Sequence, residues 1–391
     1  MSPLKREENL NFVKILHVIT GLNTGGAEMM LAKLLSRLKR GDMENAVVAL
    51  TDGGPLAERI ADLGIPVTLL GMARGGLSFG GLLRLVKTLR QQRPDLIQTW
   101  MYHANLLTGF AALLAGRPSL IWNIRQSNLD PRISKQSTIM VAKLGGRLSR
   151  WLPDKVVCCA ETARAVHENM GYARDRMVVI PNGFDLDVFR PSKEARVSLR
   201  RELGLDEDKP LVGIAARFDP QKDHRAFLNA ASILRTVRPD VDYILCGDGI
   251  DARNGQLAGW IAENNLIGAC HLLGPRSDMP RIMAGCDVMV SASAFGEGFP
   301  NVLGEAMAAG TPCVATDVGD SRWIVGDAGR IVAPHDPSAL ADAIGQILQL
   351  SETDRGALGS AARARIAEHF AIDIIADRYA ALYRQTLADR S

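Results

Sequence analysis

Short apolar runs alternate with helical patterns along the whole chain. The first apolar run, Val13 to Thr20, is followed by a glycine-containing loop and by a helical pattern over 29–40. The alternation restarts near Leu211, after a segment rich in proline, glycine and aspartate at 181–192. Short, continuously apolar strands between helices are typical of parallel sheets that are covered on both faces. The pattern therefore predicts an α/β protein with two successive parallel sheets.

The two predicted sheets indicate two Rossmann-like domains that face a cleft. A chain of 391 residues is also too long for one ordinary hydrophobic core. We place the boundary within the 181–192 segment, with a first domain over 1–184 and a second domain over 185–371. The last segment, 372–391, has the apolar period of a helix.

Composition narrows the class of protein. With 47% hydrophobic and 23% charged residues, it is typical of a soluble globular protein. The six cysteines lack metal-type spacing, which indicates a reduced, cytoplasmic compartment. The polar N-terminal segment MSPLKREENLNF argues against a signal peptide, and the apolar run 104–115 is too short to span a membrane.

The net charge of +3 is unevenly distributed, because basic residues outnumber acidic ones only in the first half of the chain. A basic first domain could face anionic lipid headgroups or an anionic acceptor. Its charges could equally be ordinary solvated surface. We expect no nucleic acid among the partners.

The most informative segment is Gly296 to Gly310, GEGFPNVLGEAMAAG, which contains Glu297 and Glu305 on either side of a loop-to-helix junction. Pro300 suits the first turn of a helix, where its missing N–H needs no partner. An anion would be favoured at that helix N-terminus. The N–H groups expected to point outward there are those of Asn301, Val302 and Leu303. With Glu297 in the loop and Glu305 two turns along, the segment predicts a nucleotide-sugar as the ligand.

A second segment, AARFDPQKD at 215–223, follows the first strand of the second domain and contains Arg217 and Lys222. A diphosphate leaving group requires positive charge near its oxygens as negative charge develops. Arginine offers a planar fork of donors and lysine a compact charge. Two cations on a loop are by themselves most simply solvated, but together with the glutamate segment they indicate a diphosphate site.

Other candidate residues of the first domain lie at predicted strand ends. The loop GLNTGGAE contains Gly25 and Gly26, which allow close approach of a ligand to the backbone. Its spacing is not that of a dinucleotide-binding loop. His103 and Asn105 follow the strand DLIQTW, and Arg125 follows the strand SLIWNI. His103 could bind a donor or an acceptor, whereas Arg125 could bind an acceptor phosphate or pair with a core acid.

The second domain has further candidate residues at the ends of two other predicted strands. Gly247 and Asp248 lie in LCGDG, and the two glycines of this loop indicate close backbone approach. Arg276 follows the strand HLLG. These loops complete the set of strand ends at which open α/β sheets bind their ligands.

The chain resembles the retaining family-4, or group 1, glycosyltransferases of the bacterial surface-polysaccharide class. The resemblance rests on the E-x7-E arrangement of Glu297 and Glu305, on the surrounding GFPNVLG and AMAAGTPCVAT, and on the GGAE loop. It extends from about Lys14 to Leu387. It implies the GT-B architecture, in which two Rossmann-like domains face an interdomain cleft and the C-terminal helix at 372–391 packs back on the first domain.

The resemblance also implies roles for the candidate residues. The catalytic set would be Arg217, Lys222, Glu297 and His103. The donor-binding set would be Gly25, Gly26, Gly247, Asp248, Arg276, Gly298, Phe299, Pro300, Asn301, Val302, Leu303 and Glu305. Arg217 and Lys222 would hold the pyrophosphate, Glu305 the ribose hydroxyls and Glu297 the transferred sugar. Arg125 and Asn105 would contact the acceptor.

The function implied is transfer of a hexosyl unit, with retained configuration, from a nucleotide-sugar to a saccharide acceptor. The expected donor is a UDP-sugar, and the expected acceptor is a polyprenyl-linked saccharide in polysaccharide or lipopolysaccharide assembly at the inner face of the cytoplasmic membrane. Two alternatives stay open, namely a nucleotide-sugar epimerase of the same fold and a non-catalytic nucleotide-sugar-binding protein.

No cofactor and no metal are expected. Asp185 and Asp187 form a literal D-x-D, a pattern that can hold a divalent cation on a diphosphate. Here it lies in the segment PNGFDLD, which matches the interdomain segment of the family, and Arg217 and Lys222 already supply the countercharge.

Overall fold

The computed structural model describes residues 12–38, 42–73, 79–127, 129 and 135–390. The N-terminal segment used above against a signal peptide lies outside this range up to residue 11, as do Lys39 and Arg40 of the first predicted helix. That helix begins at Gly26, three residues earlier than the pattern predicted, because the glycine loop itself starts to coil. The chain divides into two compact units, Met1–Gly183 with Ile375–Ser391, and Phe184–Ile374.

The first unit is a parallel sheet with connecting helices. Its strands in the described residues are β1 (Val13–Ile19), β2 (Met43–Ala49), β3 (Val67–Leu69), β4 (Leu96–Trp100), β5 (Ser119–Ile124), β6 (Lys155–Cys158) and β7 (Met177–Val179). Its helices are α1 (Gly26–Leu38), α2 (Pro55–Ala61), α3 (Phe79–Gln92), α4 (Tyr102–Leu114), α5 (Gln136–Leu148) and α6 (Glu161–Asn169). The strand order is β3-β2-β1-β4-β5-β6-β7.

The second unit repeats this plan. Its strands in the described residues are β8 (Leu211–Ala215), β9 (Asp242–Cys246), β10 (Cys270–Leu272), β11 (Val288–Ser291), β12 (Cys313–Thr316) and β13 (Gly329–Val332). Its helices are α7 (Lys193–Leu203), α8 (His224–Val237), α9 (Gly255–Glu263), α10 (Met279–Gly285), α11 (Asn301–Ala308), α12 (Ser321–Val325), α13 (Pro337–Gln349) and α14 (Glu352–His369). The strand order is β10-β9-β8-β11-β12-β13.

The central strands are buried along their whole length. Every residue of β4, β5 and β9 is buried, as expected for strands with helices on both faces. In each sheet the winding reverses next to the first strand, between β1 and β4 in the first unit and between β8 and β11 in the second. Such a reversal separates the loops at the strand carboxyl ends and leaves a crevice where ligands bind.

The C-terminal helix α15 (Ile372–Ala388) contributes tyrosine side chains to the first unit. Tyr379 and Tyr383 are fully buried. The Tyr379 hydroxyl accepts a hydrogen bond from the Asn123 side chain at 2.9 Å, and the Tyr383 hydroxyl donates to Gln98. Buried tyrosines usually find such partners, and these hydrogen bonds hold α15 against β4 and β5.

Candidate functional site

The loops that follow β8 and β11 meet at the winding reversal of the second unit. The loop after β8 continues into a short 3-10 helix, Pro220–Lys222, which Asp219 caps through the N–H of Gln221 at 2.9 Å. The carbonyl of Gln221 then accepts the N–H of Ala294, in the loop after β11, at 2.8 Å. This backbone hydrogen bond joins the segment 215–223 to the loop that leads into the segment 296–310.

Lys222 and Glu297 form an ion pair where these loops meet. The Lys222 Nζ donates to Glu297 Oε1, with side chains only 19% and 9% exposed. Ser293 Oγ donates to the same carboxylate oxygen at 2.6 Å. The carbonyl of Ser293 is in turn held by the hydroxyl of Thr316 at 2.6 Å. No described residue donates to Glu297 Oε2, so the carboxylate is fixed by one oxygen and offers the other as an acceptor.

Arg217 is also paired with an acid, but in a more exposed position. Its Nε donates to Asp219 Oδ2 at 3.1 Å, and its side chain is 60% exposed. An exposed pair of this kind contributes little to stability, so the guanidinium can exchange its partner at low cost. Both expected diphosphate ligands therefore lie at the carboxyl edge of the sheet, Lys222 in a largely buried ion pair and Arg217 in a more exposed one.

The helix that contains Glu305 begins later than the sequence indicated. Pro300 is the N-cap of α11 and precedes its first turn, so Glu305 lies just over one turn along the helix and not two. The N–H of Leu303 donates to the Pro300 carbonyl at 3.2 Å, because the helix opens with an i to i+3 hydrogen bond. Leu303 is therefore not one of the outward N–H donors that we expected. Asn301, Val302 and Glu305 are half-buried at this end of the helix.

The segment before α11 is held in place by packing. The carbonyl of Gly298 accepts the N–H of Asp320 at 2.9 Å. The ring of Phe299 packs against Phe184 at 6.0 Å and Phe370 at 5.5 Å between ring centroids. The Phe299 side chain thus belongs to the core, and any contact of this residue with a ligand would be through its backbone.

Gly247 and Asp248 connect the loop after β9 to the loop after β8. Gly247 has φ +146°, and a Cβ there would collide with the carbonyl of Ala216. The carbonyl of Asp248 accepts the N–H of Phe218 at 2.7 Å, while the Asp248 side chain is exposed. The close approach that the glycines indicated is thus an approach of two backbone segments.

Arg276 forms ion pairs with two acidic residues of the second unit. Its guanidinium donates to both oxygens of Asp278, at 2.8 and 2.9 Å, and to Glu202 at 2.8 Å. Hydrogen bonds from Arg276 and then Arg281 hold the pKa of Asp278 well below its usual range, against the effect of partial burial. These ion pairs use most of the N–H donors of Arg276 within the protein, and its expected contact with the donor stays a prediction.

The first unit contains a pocket of about 380 Å³ at the carboxyl ends of its central strands. Its lining residues come from the segments after β1, β2 and β3, from α4 and from the start of α5: Thr20, Gly21, Asn23, Glu28, Leu50, Thr51, Met72, Ala73, His103, Leu107, Lys135, Ser137 and Thr138. The pocket therefore includes the winding reversal between β1 and β4. It is mainly lined by neutral polar and apolar side chains.

The glycine loop contributes to this pocket, but not through the two glycines that the sequence analysis named. A Cβ at Gly25 would collide with the carboxylate of Glu28, which folds back over the loop, whereas Gly26 opens α1 and has free space around it. Gly21 and Asn23 line the pocket, but Gly25 and Gly26 do not. Burial raises the pKa of Glu28, which favours its neutral, proton-donating form more than usual.

Of the site residues that the sequence predicted in the first unit, His103 is the one that lines the pocket. It follows Met101, whose φ of +74° is a strained conformation that turns the chain sharply from β4 into α4. Burial lowers the pKa of His103, which favours the neutral imidazole. Neither ring nitrogen has a hydrogen-bond partner among the described residues, which leaves both for a bound ligand.

Asn105 and Arg125 have structural partners instead of facing the pocket. Asn105 is 1% exposed; it accepts from Thr99 at 2.6 Å and donates to the Asn123 carbonyl at 3.4 Å. Arg125 donates to the Tyr379 hydroxyl at 3.2 Å and lies 5.7 Å above the ring of Trp100. Asn105 does not line the pocket, and its expected acceptor contact stays a prediction. Among the described residues, Arg125 pairs with no core acid and does not line the pocket either.

Sequence reasoning missed Ser293, Lys135 and Asn23. Ser293 follows β11 by two residues and therefore lies at the same edge as Glu297, which was a usable signal. Lys135 is the N-cap of α5, and its place in the pocket depends on a crossover that no local pattern shows.

The D-x-D segment is a turn. Asp185 Oδ1 accepts the N–H groups of Asp187 at 3.0 Å and Val188 at 3.3 Å. Within the described residues, histidine, cysteine, aspartate and glutamate side chains form no cluster suited to a metal ion. In the same part of the chain, no helix combines the length and apolar character needed to cross a membrane.

Comparison with known proteins agrees with this arrangement of two units. Residues 24–188 match the family model described as Glycosyltransferase Family 4, and residues 209–350 match that described as Glycosyl transferases group 1. EpsF of Bacillus subtilis is 25% identical over 320 residues, 78% of this chain and 79% of EpsF.

A second relative is the UDP-Gal:alpha-D-GlcNAc-diphosphoundecaprenol alpha-1,3-galactosyltransferase of Escherichia coli. It is 26% identical over 247 residues, 62% of this chain, and the match spans 63% of that enzyme's length. Among solved structures, HepE of Anabaena in complex with UDP is similar with a TM-score of 0.82 and 25% identity, over 95% of this chain and 100% of that one. The predicted fold class is confirmed by these likenesses.

Proposed function

This chain belongs to the family 4, group 1 glycosyltransferases, and we propose that it transfers a sugar from a UDP-sugar to a saccharide acceptor with retained anomeric configuration. The donor class is supported by the similarity to HepE, whose structure contains UDP. The acceptor class is supported by the Escherichia coli relative, whose name gives a diphosphoundecaprenol-linked sugar as its acceptor.

One observation supports this function more than any other, namely the group formed by Lys222, Glu297 and Ser293 at the winding reversal of the second unit. A UDP-sugar has a diphosphate next to a polyhydroxylated ring. Lys222 supplies a positive charge for the diphosphate, and the second carboxylate oxygen of Glu297 supplies an acceptor for a sugar hydroxyl. The two complementary groups therefore lie side by side in the order that the ligand requires.

The proposed reaction uses the protein for positioning and charge stabilisation. The bond between the anomeric carbon and the diphosphate oxygen breaks, and a bond to the acceptor oxygen forms on the same face of the sugar. The acceptor proton goes to the departing phosphate oxygen. Lys222 and Arg217 stabilise the negative charge that develops on the diphosphate, and their fixed positions reduce reorganisation during the reaction.

The remaining residues of the second unit would orient the donor. Glu305 would accept hydrogen bonds from the vicinal hydroxyls of the ribose, since a carboxylate can accept two at once. The first turn of α11 would present N–H groups of Asn301 and Val302 to a phosphate oxygen. No metal is required in this scheme, because Arg217 and Lys222 provide the positive charge.

The pocket of the first unit would hold the sugar end of the acceptor. The neutral imidazole of His103 and the raised pKa of Glu28 both suit hydrogen bonding to hydroxyl groups. A lipid-linked acceptor would place the enzyme at the cytoplasmic face of a membrane, through contacts of the basic first domain with anionic lipid, in surface-polysaccharide assembly.

A direct assay tests the proposal. The protein is incubated with a panel of UDP-sugars and a short-chain GlcNAc-diphosphate-lipid, with and without EDTA, and products are analysed by mass spectrometry and proton NMR. We expect an acceptor lengthened by one sugar with the anomeric configuration of the donor, undiminished by EDTA. A product with inverted configuration would refute the retaining mechanism, and loss of activity with EDTA would refute metal independence. Epimerisation of the donor in the absence of an acceptor would favour the epimerase alternative.

A further inference from the structure

Three neighbouring helices of the first unit contain no acidic residue. They are α3, α4 and α5, which pack side by side in that order. Solvated helices in a protein of balanced charge normally mix both signs, as α14 does with Glu352, Asp354 and Arg355 in its first turns. The face of the first unit that α3, α4 and α5 form therefore has basic but no acidic residues on its helices.

The exposed side chains of α4 and α5 include large apolar ones. They are Phe110, Leu113, Leu114, Met140 and Leu144, together with Trp151 just after α5, and they are between 39% and 69% exposed. In α4 the three residues are spaced at i, i+3 and i+4, which places them on one face. Leu144 follows Met140 by four residues on the same face of α5. Adjacent exposed apolar side chains of this size mark a contact surface.

Exposed basic side chains lie beside the apolar ones. Lys143 and Arg147 are spaced at i and i+4, so they form a second row along α5 next to Met140 and Leu144, and the exposed Arg150 follows two residues after the end of the helix. Among the described residues, none of the three cations is paired with a carboxylate. The row is therefore uncompensated positive charge next to exposed apolar surface.

The ends of the two helices are joined, so the apolar residues belong to one surface. Arg117, which follows α4, donates to the carbonyl of Trp151 at 3.3 Å. We call the six apolar residues and the three cations the α4–α5 surface. Its two helices begin at the pocket of the first unit, since His103 lies in the first turn of α4 and Lys135 is the N-cap of α5.

We propose that the α4–α5 surface binds the interface of a membrane that contains anionic lipid. The inference rests on the proposed lipid-linked acceptor and assigns the membrane contact to named residues. The apolar side chains would enter the headgroup and upper acyl region, with Trp151 at the level that tryptophan prefers. Lys143, Arg147 and Arg150 would attract anionic headgroups while their stems stay in the apolar layer.

The chemistry of the surface favours lipid over a protein partner. A second copy of this chain would place the same uncompensated cations near one another, because a two-fold interface presents one surface to itself. Like charges brought together are unfavourable. An anionic lipid surface instead supplies negative charge over the whole area of contact. The lipid-linked acceptor would then lie beside the pocket where α4 and α5 begin.

Vesicle sedimentation tests this surface. The full-length protein is mixed with vesicles of phosphatidylcholine alone or with about 30% phosphatidylglycerol, a content typical of strongly anionic membranes. We expect binding only to the anionic vesicles, weakened by salt. Lys143→Glu/Arg147→Glu should lower the partition constant roughly tenfold or more, since each cation near the surface contributes several-fold. Leu144→Glu should also lower it, whereas Ile267→Glu, at an exposed apolar residue of the second unit, should leave it unchanged.

The outcomes separate this inference from the proposed function. Transfer to a water-soluble acceptor analogue should be the same in the wild type and the α4–α5 surface variants, which also shows that the variants are folded. Wild-type protein that transfers sugar but ignores anionic vesicles would overturn the inference and leave the function standing. A dimer in light scattering that Leu144→Glu converts to a monomer, without vesicle binding, would overturn it in favour of an interface between copies.

Discussion

The two sheets of this protein are wound alike but present different chemistry at their strand ends. In the second unit, the loops after β8 and β11 hold cations paired with acids, Lys222 with Glu297 and Arg217 with Asp219. In the first unit, the equivalent loops form a pocket in which burial favours the neutral forms of Glu28 and His103. One fold thus supports a charged site in one copy and a nearly neutral site in the other, since the loops determine the site.

The two units also differ in the histidines that they bury. Burial lowers the pKa of His17 and of His167 to about 4 in the first unit, and that of His224 to about 4 in the second. Both nitrogens of His17 are used in its neutral form, because Nδ1 accepts from the Trp100 indole at 3.4 Å and Nε2 bonds Asn45 at 3.1 Å. A proton on Nδ1 would face an N–H that cannot accept it.

The largest predicted effect is a loss of stability in acid that is greater in the first unit. A folded-state pKa below the unfolded value of 6.5 means that the unfolded chain binds the proton first. The free energy of unfolding therefore falls as the pH drops from about 6.5 towards 4, by up to about 1.4 kcal/mol per pH unit for each histidine. Hydrogen exchange at pH 6.5, 5.8 and 5.0 should show at least about twice the slope in the first unit, where the pKa of His103 is lowered as well.

The double variant His17→Gln/His167→Gln provides the control for this prediction. It should reduce the dependence of stability on pH in the first unit, whatever the stability of the variant at pH 7. It should leave that dependence unchanged in the second unit. If stability depended equally on pH in the two units of the wild type, the predicted difference between their buried histidines would be wrong.

The next largest effect concerns the charged strand ends of the second unit. Lys222→Ala and Arg217→Ala should each lower kcat by roughly 10²-fold or more, as loss of one oxyanion donor does. Arg238→Ala is the matched control, because Arg238 also pairs with an acid two residues away but lies before β9, at the opposite edge of the sheet. Steady-state kinetics on the UDP-sugar checks this, and unchanged turnover in Arg217→Ala would exclude that residue from the diphosphate site.

Glu305→Ala should weaken the binding of the nucleotide part of the donor. Loss of a hydrogen bond to a charged group costs about 1.5–3 kcal/mol, so the Kd for UDP in calorimetry should rise about 10- to 100-fold. The exposed Glu263 at the end of α9 offers a control with the same change of charge. If Glu263→Ala and Glu305→Ala raised the Kd equally, a general electrostatic effect would explain both.

The smallest predicted effect is a loss of affinity for the sugar part of the donor and not for its nucleotide part. Ser293→Ala removes the 2.6 Å hydrogen bond that orients Glu297. The affinity for a UDP-sugar should fall about fivefold, the equivalent of one hydrogen bond of about 1 kcal/mol, while that for UDP stays nearly constant. Ser293→Thr should restore the difference between the two ligands. Equal losses for both would mean that Ser293 supports the fold of the loop and not the orientation of Glu297.

Local patterns predicted most of the strands and helices and the two loops of the second unit, because apolar period and glycine or proline positions are local properties. The short strands β7 and β13 were not predicted. They did not predict ion pairs between distant segments. Lys222 and Glu297 are 75 residues apart, and Arg276 finds Glu202 at a separation of 74. Such pairs depend on which strands become neighbours in the sheet, and a local sequence pattern does not contain that information.

Burial was the second property that local patterns missed. Asn105 lies two residues after His103 in the same helix, and both follow a strand end, yet only His103 lines the pocket. The difference comes from the strained backbone at Met101, which sets the rotation of α4. The start of α11 was misplaced for a similar reason, since Pro300 can occupy either the N-cap or the first turn.

The most direct test of the central claim is hydrogen exchange with and without UDP. The claim is that the donor binds at the strand ends of the second unit, against Lys222, Glu297 and Glu305. Saturating UDP should stabilise the protein by linkage and slow exchange at 216–222 and 293–305, with or without EDTA. Segments 20–28 and 101–107 of the first unit should be unaffected. Protection of the first unit alone, or no response to any nucleotide, would contradict the account.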